Sequence, residues 1–239
     1  MAQGSLAGRI AVITGANRGI GLAIARAFAR EGAVLALVVR ARASGERAAR
    51  EIGGAPSPLV VEADVADRGS VTAAADELAR RLERIDLLVN NAGVLTDDDR
   101  AMPASRMDLT VLDGTFAVNF FGPIAMSQAL LPRMPRGSRI INVSSTMGQL
   151  EGGSAGYAPA YCMSKTALNA YTQALAASMS DSGIMVDCFH PGWAKTRMGG
   201  PNATVDPDEA ASVALFLATR PFSDKTGLFW RHPGVVIDW

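Results

Sequence analysis

The sequence predicts one α/β domain, doubly wound around a parallel sheet of about seven strands. Three observations carry that prediction. Short apolar runs alternate with segments of helical periodicity from end to end. The length, 239 residues, fits one large domain spanning 1–239 better than two small ones. Hydrophobic residues make up 49% and charged residues 19%, enough to build a sizeable core. Strands alternating with helices mean βαβ units, right-handed crossovers and a sheet covered on both faces.

Each element follows from its pattern. The run "RIAVIT" at 9–14 is the first strand, and "GIGLAIARAFARE" at 19–31 repeats apolar residues at helical spacing. Later strands are read at 34–39, 59–63, 86–90, 139–144, 185–190 and 235–238. The helices between them are read at 45–52, 70–84, 112–131, 160–180 and 208–219. The expected strand order is 3-2-1-4-5-6-7. No repeat or low-complexity linker interrupts the series. The loosest stretches, 95–109 and 148–159, follow strands at their carboxyl ends, the edge where such sheets bind ligands.

Composition excludes several classes. Lys+Arg and Asp+Glu both number 23, so no basic excess points to nucleic acid. The two histidines, His190 and His232, lack metal-ligand neighbours, so no metal site is expected. Cys162 and Cys188 form no CxxC pair, and the amino-terminal "MAQGSLAGR" has no apolar core of a signal peptide. No stretch reaches ~18 consecutive apolar residues. The expectation is a cytoplasmic protein without a membrane or nucleic-acid partner.

The glycine cluster "TGANRGIG", 14–21, is the first candidate site. Gly15 permits a tight turn out of the first strand. Gly19 and Gly21 remove side chains where the helix begins, so a pyrophosphate can approach the backbone. A glycine cluster alone is equally an ordinary turn; its place in the first βαβ unit favours a dinucleotide. NAD sites carry an acid near the end of the second strand. Here "LVVRAR" offers Arg40 instead, with Arg18 inside the turn. Two guanidiniums grip a 2′-phosphate through forked, charge-assisted bonds, so the residues read as an NADPH/NADP+ site. The plain alternative is that Arg18, Arg40 and Arg42 are surface charges. Asp64, after the third strand, is either an adenine contact or a turn residue.

The order of further motifs resembles the short-chain dehydrogenase/reductase family over nearly the full length. "NNAG" (90–93), "VNFFGP" with Asn119, "IINVSS" ending at Ser145, "YCMSK" from Tyr161 to Lys165, and "HPGWAKT" up to Thr196 all stand in the family's sequence. "PGWAKTRMGGPNA" and the tail "TGLFWRHPGVVIDW" resemble its carbonyl-reductase-like members. The resemblance implies a Rossmann fold, a small carbonyl or alcohol substrate, and Asn119, Ser145, Tyr161 and Lys165 as catalytic residues. It implies cofactor contacts from Gly15, Asn17, Arg18, Gly19, Ile20 and Gly21 in the first turn. Arg40, Asp64 and Val65 follow the next strands, and Asn91, Ala92 and Gly93 the fourth. Pro191, Gly192, Trp193 and Thr196 complete the nicotinamide side, with Tyr161 and Lys165.

The chemistry fits the spacing. Tyr161 and Lys165 are four apart, on one helix face. A phenol titrates near ~10, and a nearby ammonium is expected to lower that value and ready Tyr161 for proton exchange. The Ser145 hydroxyl would stabilise charge on the carbonyl oxygen. Asn119 would hold a water linking Lys165 to solvent. Ser144, one residue earlier, points to the opposite face and is read as packing. Tyr157 is not the acid, because position 161 is not lysine. The spacing from Ser145 to Tyr161 exceeds the family's commonest, and the extra residues in "LEGGSAGYAPA" are expected to bulge beside the pocket. Leu95, Met147, Leu150, Trp193 and Met198 are candidate substrate walls, each also explicable as packing. A dimer or tetramer through helices 112–131 and 160–180, or a monomer, are all open. An alcohol dehydrogenase, a 3-oxoacyl-thioester reductase and a non-catalytic NADP(H) sensor are the competing readings.

Overall fold

A computed structural model describes residues 4–151 and 156–239. Strands β1 (Ile10–Thr14), β2 (Val34–Val39), β3 (Leu59–Glu62), β4 (Leu87–Asn90), β5 (Arg139–Val143), β6 (Met185–Phe189) and β7 (Phe229–His232) run parallel in the order 3-2-1-4-5-6-7. An eighth strand, β8 (Val235–Ile237), adds antiparallel to β7. The expected last strand at 235–238 is therefore not the seventh. "FWRH" holds that place, and "HPG" turns the chain back to form a hairpin. Trp239 then stacks on Phe229, with ring centroids 5.6 Å apart.

The strands are apolar throughout because helices cover both faces. Successive residues alternate sides: Ile13 and Leu37 face one core with Ile24 and Phe28 of α1 (Gly19–Arg30) and Leu217 of α8 (Pro207–Thr219). Val12 and Val38 face the other, with Leu78 of α3 (Arg68–Arg81), Met126 of α6 (Gly122–Leu130) and Leu175 of α7 (Pro159–Ser178). Helix α2 (Arg42–Ile52) packs Ala48 into the first core.

Two regions depart from the expected elements. The loop 95–109 contains a short helix, α4 (Asp97–Ala101), capped by Thr96, and a 3-10 turn at Ala104–Arg106. The helix expected at 112–131 runs as α5 (Leu109–Phe116), a π segment (Ala117–Phe121) and α6. Pro123 explains the break. It has no N–H to give to the carbonyl four residues back, on Asn119. The run Leu109–Arg133, 25 residues with a mean hydropathy of 1.3 over an 18-residue stretch, is long and apolar enough to cross a membrane. Here it packs against α3 and α7 and carries Asn119 inward.

Candidate active site

The turn after β1 is tied to the loop after β4. Thr14 Oγ1 accepts from the N–H groups of Asn91 and Ala92, each at 3.0 Å, and Asn91 Nδ2 donates to the Thr14 carbonyl at 2.9 Å. Gly15 (φ +66) and Gly19 (φ +54) adopt left-handed backbone that favours glycine. Gly21 serves the chain itself: a Cβ there would lie 2.4 Å from Asn91 Nδ2. A Cβ on Gly19 would lie 3.1 Å from Thr196 Cγ2, so the Thr196 loop flanks the turn. Asn17 Nδ2 reaches Ser44 Oγ at 3.1 Å, and Ile20 packs against the α1 core.

Charge gathers at this edge. Burial, then the charges of Arg197 and Arg40, pull the Arg18 pKa below its ordinary value. All three guanidiniums are exposed, and none forms an ion pair with an acid among the described residues. Helix α1 begins with no side-chain cap and no acid in its first turn, so no side chain there opposes negative charge at its amino end. Arg42 is spent elsewhere, on the Val60 carbonyl at 3.0 Å and Glu77 at 3.6 Å. Asp64 accepts from Ala66 N at 3.0 Å as a turn residue, while Val65 is buried against Gly122.

The expected catalytic side chains gather beyond the ends of β4 and β5. Ser145 caps the 3-10 turn Thr146–Gly148, accepting from Met147 N at 3.1 Å, and its hydroxyl favours the ionised form of the Tyr161 phenol. Ser144 points the other way, to Asn169 Oδ1, so it is a buried hydrogen-bonding group rather than mere packing. Lys165 Nζ lies 5.6 Å from the Tyr161 ring centroid and donates to the Val143 carbonyl at 2.8 Å. Burial pushes Tyr161 up to about 12, only partly offset by the Ser145 hydrogen bond. The same burial brings Lys165 down to about 8. The expected lowering of the phenol is thus corrected: desolvation dominates because the phenol is enclosed, and Lys165 is not among the groups that offset it.

Asn119 is fully buried in the π segment, a kind of irregularity frequent at functional sites. Its side chain is committed: Oδ1 accepts from Val94 N at 2.8 Å, and Nδ2 donates to the Val94 carbonyl at 2.9 Å and Ser164 Oγ at 3.1 Å. Both side-chain donors are thereby used, and Pro123 leaves the main-chain carbonyl without an α-helical donor. A Cβ on Gly93 would lie 3.4 Å from Asn119 Oδ1 and 3.9 Å from Lys165 Nζ, placing this glycine beside both.

The rim is more open. Trp193 is 53% exposed and donates Nε1 to the Gly199 carbonyl at 2.8 Å. The turn before it, Pro191–Gly192, is held by close contact of Gly192 (φ +73) with Val205. Leu95 and Met147 are half-buried, Met198 is exposed, and Leu150 is 86% exposed. Of the expected bulge at 150–160, residues 152–155 lie outside the described residues. A cavity of about 420 Å³ between Gln173, Met185 and Phe222 lies at the other end of α7, away from these groups.

Sequence reasoning missed three contributors. Asp99 accepts from the N–H groups of Ala160 and Tyr161; Arg100 bridges the Tyr157 hydroxyl and the Met198 carbonyl; His190 Nδ1 accepts from Thr146 N at 3.2 Å. "TDDDR" offered a Thr-x-x-Asp pattern, but nothing local said which acid turns inward.

The short chain dehydrogenase profile matches residues 9–206. D-threitol dehydrogenase of Mycolicibacterium smegmatis is 36% identical, covering 90% of this chain and 87% of its own. Galactitol 2-dehydrogenase (L-tagatose-forming) of Cereibacter sphaeroides is 35% identical, covering 98% and 97%. The NADPH-bound carbonyl reductase from chicken fatty liver superposes with a TM-score of 0.88 at 29% identity, over 98% of this chain and 100% of that one. With fold, motif order and sequence in agreement, this chain belongs to the short-chain dehydrogenase/reductase family, oxidoreductases acting on CH–OH and carbonyl groups.

Proposed function

We propose that this protein is an NADPH-dependent carbonyl reductase, converting ketones or aldehydes to alcohols reversibly. The observation that carries the cofactor preference is the cluster of Arg18, Arg40 and Arg197 with no acid paired to it. These cations suit a 2′-phosphate. The uncapped start of α1 and the glycine turn suit the pyrophosphate. Asp64 and Val65 would flank the adenine, and Lys165, whose buried ammonium donates one hydrogen bond among the described residues, has donors left for ribose hydroxyls. Asn91, Ala92, Gly93, Pro191, Gly192, Trp193 and Thr196 would shape the nicotinamide side.

When bound, NADPH supplies hydride to the carbonyl carbon. Tyr161 donates its phenolic proton to the carbonyl oxygen, and Ser145 donates a hydrogen bond to the same oxygen. A phenol pushed up to about 12 keeps its proton at neutral pH, which favours the donating, reductive role. Lys165 holds positive charge next to the phenol as the proton leaves. Asn119, through its main chain, would relay protons from solvent.

A second reading, polyol oxidation, is favoured by the two polyol dehydrogenases among the relatives. We place the protein in the cytoplasm as a small-molecule enzyme, monomeric or assembled through α5–α6 and α7. Initial rates with NADPH and NADH against aromatic and aliphatic carbonyls, and with NADP+ and NAD+ against polyols, test the assignment. The proposal expects at least tenfold higher kcat/KM with NADPH. Faster polyol oxidation with NAD+ would establish the second reading instead.

A further inference from the structure

Helix α7 carries both Tyr161 and Lys165, and its beginning lacks a cap of its own. The N-cap residue, Ala158, sits in left-handed backbone (φ +49) and has no side-chain acceptor. Pro159 has no N–H. The first two donors in need of partners are therefore the amides of Ala160 and Tyr161. Asp99 supplies both, although it lies some sixty residues earlier. Oδ1 accepts from Ala160 N at 2.9 Å and Oδ2 from Tyr161 N at 2.8 Å. The carboxylate is fully buried, and no cation pairs with it among the described residues. The positive end of a 20-residue helix compensates its charge.

The geometry of its own segment is fixed at two points. Val94 is clasped through its N–H and carbonyl by Asn119, and five residues later Asp99 grips α7. Thr96 Oγ1 accepts from Asp99 N at 3.2 Å, holding the acid inward. Ser164 Oγ donates to the Tyr161 carbonyl at 2.7 Å, so the main chain of Tyr161 is held on both sides. We propose that Asp99 is a positioning residue: by holding the Tyr161 amide, its buried carboxylate sets the phenol against Ser145. The groups facing that phenol are Ser145, Lys165, Cys162 and Arg100. The kinetic consequence rests on Tyr161 being the proton donor; the structural one does not.

The test uses the full chain as wild type, Asp99→Asn and Asp99→Ala, with carbon-13 at the tyrosine Cζ. Only Tyr157, Tyr161 and Tyr171 contribute signals, and Tyr161→Phe assigns the one that matters. In the wild type, Tyr161 stays protonated at about pH 11, since burial raises it to about 12. In Asp99→Ala the first turn loosens and water reaches the ring. The Tyr161 signal should then titrate toward the ordinary ~10. Asp99→Asn, which keeps one acceptor, should fall between, and it decides the matter if the alanine variant does not fold. In parallel, kcat should drop about 100-fold in Asp99→Ala, as for small misplacements of a reacting group, with NADPH affinity changed less than threefold. A lowered Tm with unchanged Tyr161 titration in both variants would make Asp99 a plain helix cap and overturn the proposal. Undiminished turnover in Tyr161→Phe would sink the acid assignment alone, leaving the titration to decide the role of Asp99.

Discussion

The two halves of the sheet solve different problems. The half expected to hold the nucleotide, β1 to β3, ends in a turn, an uncapped helix and exposed cations, and several side-chain bonds at its edge are short in sequence, such as Asp64 to Ala66. The catalytic half, β4 to β6, is built from buried polar groups joined over long separations. Asn90 Nδ2 donates to Asn142 Oδ1 and Asn142 Nδ2 to Thr172 Oγ1, both at 2.9 Å. Asn119 reaches Val94 and Ser164, and Asp99 reaches Tyr161. An exposed guanidinium tunes affinity at little cost to the fold. A buried amide or carboxylate fixes geometry, and its loss is felt in stability or turnover.

The sharpest expected contrast is in pH. Burial, with Arg231 and His232 nearby, pushes His190 down to about 4. Between that value and the ordinary ~6.5 the unfolded chain binds a proton that the folded one refuses. Stability therefore falls as pH drops through this window, by of the order of 3 kcal/mol from His190 alone. Thermal melts of wild type and His190→Gln at pH 4 to 7 should show this limb in the first and a shallower one in the second. Next, Asn90→Ala leaves the buried Asn142 carbonyl oxygen unpaired and should cost about 1–3 kcal/mol in denaturant melts. In the nucleotide half, Arg40→Ala should weaken NADPH binding about tenfold or more, leaving NADH affinity and Tm nearly unchanged. Arg42→Ala is its control: because Arg42 is held by Val60 and Glu77, the NADPH-to-NADH ratio should not move. A large loss of stability in Arg40→Ala would break the distinction between the halves.

The same contrast explains what was legible in the sequence. The glycine turn and Arg40 sit within one βαβ unit, so their neighbourhood could be read along the chain. Tyr161 and Lys165 were legible through the family resemblance, and their spacing puts them on one helix face. Asp99 was not, because its partners lie far off in sequence and its neighbours Asp97 and Asp98 look the same. The π segment was not read, since a continuous helix was expected at 112–131; Pro123 is the signal that could have marked the break. The phenol's environment was misjudged because proximity to Lys165 is visible in sequence, whereas the burial that raises the phenol is a tertiary property. The seventh strand escaped because "FWRH" is short and half-exposed.

The central claim is that Tyr161 carries the proton while the arginine-lined turn carries the cofactor. The most direct measurement follows NADPH oxidation at the nicotinamide absorbance, with a reducible ketone, for wild type and Tyr161→Phe, alongside NADPH affinity by fluorescence. The account predicts turnover reduced by about 10²–10⁴-fold at unchanged NADPH affinity. Turnover retained in the variant, or NADPH affinity lost with it, would contradict the division of labour between the two halves.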